Sequence, residues 1–175
     1  QKAKMQTQTI RDHRESVARL VHNVELNVNE HFFERLQKLI DQQGELPHRP
    51  HEALVPVGHP DLLDAGMAFM SGHGEMNLTE EEMDNLRHYL THGGFLVSTP
   101  GCSSGAYQKG FERMVARLFP EDELETVPMT DLVFQAPVDL SAIPATGTEA
   151  YEKLRGAKWP VIKGLRRQGR WVLLS

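Results

Sequence analysis

The sequence predicts a three-layer α/β sandwich around a mainly parallel sheet with a C-terminal hairpin, and three observations carry that expectation. Strand-like and helix-like segments alternate along the chain, joined by connections short enough to demand right-handed crossovers. The run AGMAFM at 65–70 is apolar throughout, which is the pattern of a strand covered on both faces. Two strand-to-helix junctions then follow each other directly, AGMAFM opening into SGHGE and GFLVSTP opening into GCSSG.

Residues 1–15 are polar and aperiodic and read as a flexible lead-in, leaving 16–175 as a single domain. SVARLVHN (16–23) has the alternation of a first strand. From Asn29 to Gln43, Phe32, Phe33, Leu36, Leu39 and Ile40 recur at helical spacing, and Gly44 stops the run. ALVPV (53–57) is a second strand whose Pro56 suits an edge position. The next helix starts with Thr79 as N-cap and Glu82 three residues on, a capping box. Leu78 and Met83 stand where a hydrophobic staple requires. Leu86 and Leu90 continue its apolar stripe, and Gly93-Gly94 ends it before the strand GFLVST (94–99). After GCSSG a helix carries Phe111, Met114, Val115 and Leu118 on one face and stops before Pro120. LETVPM, DLVFQA, a Pro-rich passage and a short helix near Glu149 to Leu154 lead to a hairpin pairing WPVIKGL with RWVLLS, with Gln168-Gly169 at its turn. The stop at Ser175, just after a strand, implies truncation before a closing helix, and Gln1 implies a trimmed beginning.

Composition narrows the class. Hydrophobic residues at 39% and charged ones at 25% are those of a globular domain. No window approaches the roughly 18 apolar residues of a spanning helix, and no secretory signal opens the chain. A net charge of -5 with scattered basic residues argues against nucleic acid as partner. The lone Cys102 excludes an internal disulfide.

Ligands of open α/β folds collect past the carboxyl ends of the strands, which puts His73, Cys102 and Ser103 on the expected functional edge. In a flavodoxin-like strand order the first and third strands flank the switch point. Asn23 and Glu25, in the polar group after the first strand, would then face Ser71, Gly72, His73 and Glu75 across a crevice. GCSSG matches the G-x-S-x-G nucleophile elbow around Ser103, and the helix start behind it could hold an oxyanion. The competing reading makes Ser103 or Ser104 a plain N-cap. Cys102 faces the positive end of the same helix, where a thiolate is favoured, or else is a small structural residue. His73 between glycines could serve as its base, with Glu75 or Asp131 orienting the ring, or could be incidental to a turn. The nine histidines match no structural zinc pattern. His88 and His92, at i and i+4, read as a solvated helix end with His92 favourably placed against the dipole. No metal and no cofactor is expected, since neither phosphate-binding glycine loop occurs.

SGHGEMNLTEEEMDNLRHYLTHGGFLVSTPGCSS, FERMVARLFPEDELETVPMTDLVF and GLRRQGRWVLLS together resemble the bacterial domain of unknown function 4159 over roughly residues 16–175. The resemblance implies a class I glutamine amidotransferase-like fold and an exported or periplasmic setting, with the cytoplasm as the alternative. Such domains usually carry Asp-His-Pro where this chain has Thr130-Asp131-Leu132, and they continue past the last strand. The Cys-centred elbow and downstream His-x-Glu of true amidotransferases are not present. The expected function is therefore a ligand-binding or scaffolding module without a complete catalytic triad, taking a small molecule or a protein partner. The alternatives are a hydrolase or transferase using Cys102 or Ser103 with His73 as base, and a subunit of a cell-envelope assembly.

Overall fold

A computed structural model describes residues 17–21, 52–135 and 161–175. Strands β1 (Val17–Val21), β2 (Glu52–Pro56), β3 (Met67–Gly72) and β4 (Phe95–Pro100) pair in parallel, β1 lying between β2 and β3. Helix α1 (Glu80–Thr91) connects β3 to β4, and helix α2 (Gly105–Leu118) leaves β4. A two-residue strand β5 (Glu125–Thr126) and a one-turn helix α3 (Leu132–Gln135) precede β6 (Lys163–Arg167) and β7 (Arg170–Leu174). The seven strands among the described residues form one sheet of order β2-β1-β3-β4-β7-β6-β5.

The protein is thus α/β, but the sheet is mixed where the sequence predicts a mainly parallel one. β7 joins β4 in parallel, while β6 runs antiparallel to β7 and β5 antiparallel to β6. The cause is local. Gln168 and Gly169 both take positive φ, 50° and 78°, the conformation a tight two-residue hairpin turn needs, so β6 must run against β7. Leu132–Gln135 fold as α3, its start set by Asp131, whose carboxylate accepts the Val133 amide and whose carbonyl accepts the Phe134 amide. The helix expected at Asn29–Gln43, the one near Glu149–Leu154, and Asn23 and Glu25 lie outside the described residues.

The capping box at α1 forms as the sequence predicts. The Thr79 hydroxyl accepts the Glu82 amide at 3.2 Å, and the Glu82 carboxylate accepts the Thr79 amide at 2.8 Å. Met83, Leu86 and Leu90 of α1 and Tyr107, Phe111, Met114 and Leu118 of α2 pack into one core with Ala68, Met70, Leu96, Leu165 and Leu173 of the sheet. Each such large side chain taken fully out of water contributes about 1.5–3 kcal/mol. A second cluster gathers Val127, Phe134 and Leu174 with Phe95 and Trp171. Within the main core the buried Ser98 hydroxyl pairs with the Tyr107 hydroxyl at 2.9 Å, fastening α2 to β4.

Gly110 shows how closely α2 is held. A Cβ there would stand 2.8 Å from the Met76 backbone nitrogen, which has no rotamer by which to yield. In an open helix Gly→Ala would stabilise by about 1 kcal/mol. In this protein Gly110→Ala is expected to destabilise by about 1–3 kcal/mol through overpacking, read from the urea midpoint.

Candidate functional site at the carboxyl ends of the strands

The register of β3 against β4 sets Ser71 beside Thr99 and Gly72 beside Pro100, so the turns that follow leave the sheet at one edge. The direction of strand succession also reverses between β1 and β3, and this is where an open sheet leaves a crevice. Ser104 ties the two turns together. Its hydroxyl donates to the His73 carbonyl oxygen and accepts the Tyr107 amide at 3.3 Å, acting at once as bridge and as N-cap of α2.

Ahead of that cap, Gly101–Ser103 form a single 3-10 turn closed by the Ser104 amide on the Gly101 carbonyl at 2.9 Å. Cys102 and Ser103 both occupy the left-handed region, at φ 48° and 59°. Each such residue costs about 1–2 kcal/mol when it is not glycine. Both side chains are exposed, as is His73, while Gly72 is buried and Ser71 half-buried. The structure therefore gathers Ser71, Gly72, His73, Cys102 and Ser103 along one rim. Glu75 continues the same turn, but its carboxylate lies 3.4 Å from the Arg113 guanidinium on α2.

Asp131 does not join this rim. Its carboxylate accepts Arg166 at 2.8 Å and the Trp171 indole N–H at 3.2 Å as well as the Val133 amide, so it braces α3 against the hairpin. The orienting role expected for it beside His73 is corrected accordingly. The Val133 amide, ahead of Trp171 and Arg166, holds its carboxyl below the usual aspartate range. The bridging role of Ser104 was not read from the sequence. The adjacent Ser103 and Ser104 flagged a cap, but nothing local in a chain signals a bond to a carbonyl 31 residues away.

An α/β domain with a mixed sheet and a polar rim beyond its parallel strands is the class that fold and geometry define. The family model described as "Domain of unknown function (DUF4159)" matches residues 16–175, and the chain belongs to that family. No curated protein matches it. Among the described residues no helix is long and apolar enough to cross a membrane.

Ser104→Ala is expected to lower stability by about 1–2 kcal/mol through loss of the cap, whereas Ser103→Ala should stay within about 0.5 kcal/mol. Cys102→Gly should raise stability by up to about 1 kcal/mol by relieving the left-handed backbone, and urea titration of the three variants checks the ordering. At the hairpin, a depressed carboxyl stabilises the fold at pH values above the unfolded aspartate pKa of about 3.9, and that contribution is lost as pH falls through the lower folded value. Asp131→Asn should therefore be less stable than the parent at pH 7, with the gap narrowing at pH 3.

Proposed function

We propose that this domain is a ligand-binding or scaffolding module of glutamine amidotransferase-like, flavodoxin-like architecture. Its crevice lies beyond β1, β3 and β4 and takes a small molecule or a protein segment among Ser71, His73, Cys102 and Ser103. The observation that carries this reading is the Ser104 amide. In a nucleophile elbow the N–H after the nucleophile completes the oxyanion hole. Here that N–H is already bonded to the Gly101 carbonyl at 2.9 Å, and the Ser104 hydroxyl is engaged with His73 and Tyr107. A substrate oxyanion held against Ser103 would have to break the turn that presents it. What the rim presents to a ligand is a strained, fixed edge of exposed polar side chains, which suits binding better than acyl transfer.

The test has two arms. In a fragment screen read by backbone amide shifts, hits are expected to cluster at residues 71–75 and 101–105, and hits that leave both turns unmoved would overturn the reading. Iodoacetamide at neutral pH should alkylate the exposed Cys102 no faster than it alkylates a cysteine in an unstructured peptide. A rate well above that would replace the binding reading with a cysteine-nucleophile enzyme.

A further inference from the structure

We propose that Ser104 is the positioning residue of the rim, its hydroxyl proton given to the His73 carbonyl so that the imidazole is presented in one fixed direction alongside the 101–103 turn. That role deepens the reading of the rim as a binding edge and rests on it.

A serine hydroxyl carries one proton and two lone pairs, so its donor and acceptor roles are chemically separate. At Ser104 the acceptor side takes the Tyr107 amide at 3.3 Å and caps α2, while the proton goes across to the turn after β3, 31 residues earlier in the chain. A cap needs only the acceptor. The donor bond is a second function, and the residue it lands on says what it does. His73 is exposed and stands between Gly72 and Gly74. Glycine loses more backbone freedom on ordering than any other residue, so a histidine flanked by two of them is costly to hold in one orientation. A bond to its own carbonyl does this directly, because it fixes the peptide plane that leaves His73 and constrains the direction in which its Cβ departs. The other end of the bond is stiff. Ser104 is the N-cap of the 14-residue α2, whose fully buried Tyr107 is tied to Ser98 of β4 at 2.9 Å. The rigidity of the core is thus passed through one hydroxyl to an exposed imidazole. A side chain already oriented loses little freedom on meeting a ligand, which raises affinity without any new contact.

Three substitutions separate the two roles. Ser104→Thr keeps donor and acceptor, Ser104→Asp keeps only the acceptor because an ionised carboxylate cannot donate, and Ser104→Ala keeps neither. Backbone amide order parameters of the free full chain are the readout, so a fragment screen without hits would sink the binding reading and leave this result standing. In the parent and in Ser104→Thr, residues 72–75 should be as rigid as α2, with order parameters of about 0.85. In Ser104→Asp they should fall below about 0.6 while residues 105–118 keep the parent value. Ser104→Ala should loosen both the 72–75 turn and the first turn of α2. Ser103→Ala, at an exposed neighbour outside the bridge, should match the parent. Rigidity kept in Ser104→Asp or lost in Ser104→Thr, α2 loosening as far as the turn in Ser104→Asp, or a turn already mobile in the parent would each overturn the proposal.

Discussion

The parallel pairing of β3 with β4 is the constraint on which the rest depends, because it decides what lies at each end of the sheet. Six residue pairs from Met67↔Phe95 to Gly72↔Pro100 keep the two strands level. A slip of one position would swap the two faces of the strand, moving Ala68 and Met70 to the side where Phe69 is buried and Ser98 away from Tyr107. The register is therefore enforced by burial on the helical side, where α1 and α2 press on both strands. With the strands level, the turn after β3 and the turn after β4 must emerge side by side. The Ser104 bridge then works on loops that are already neighbours.

That order of causes explains how a non-glycine pair can be held in left-handed backbone at Cys102 and Ser103. Strained residues persist only where their surroundings over-determine them. Here β4 fixes the entry and the Ser98–Tyr107 bond fixes the first turn of α2. The Ser104 cap and its contact with His73 fix the exit. The backbone between them has little choice. Any role of Cys102 or Ser103 in recognition follows from that stiffness, since a side chain on a rigid turn loses little freedom on meeting a ligand.

Much of this was legible in the sequence because the signals were local. The Thr79 and Glu82 capping box, the apolar AGMAFM run, the edge-marking Pro56 and the Gln168-Gly169 turn each act within a few residues, and each element formed where those signals stood. What was misread depends on distant partners. Asp131 looked like a free acid near a family motif, yet Arg166 and Trp171, brought back by the hairpin, claim it. The mixed character of the sheet was hidden for a related reason. A hairpin signal says that two strands are antiparallel to each other, but not that the second inserts beside β4 with the first outside it. Among candidate site residues, those on the β3 and β4 turns could be placed from the strand pattern alone. The crevice partners Asn23 and Glu25 lie outside the described residues.

The two ends of the sheet differ chemically because parallel strands and antiparallel helices sort backbone groups by direction. At the carboxyl end, α2 begins and offers N–H groups, so the side chains retained there are hydroxyl, thiol and imidazole on tight turns. At the amino end, α1 finishes and offers carbonyls, which call for donors. Arg170 answers Leu90 and Gly94, and the Tyr89 hydroxyl donates to the Phe95 carbonyl at 3.1 Å while accepting the Phe95 amide at 3.2 Å. Burial raises the Tyr89 phenol far above its ordinary range, so it stays a neutral donor at any physiological pH. Gly94 is required beside it, since a Cβ would fall 2.4 Å from the tyrosine ring. Once arginine and tyrosine have answered the backbone, His88 and His92 are left exposed at that end with a helix dipole behind them. An end where acceptors outnumber donors thus draws its own side chains onto the backbone, as His92 Nδ1 is drawn to the His88 carbonyl at 2.8 Å, whereas donors prevail at the rim where α2 begins.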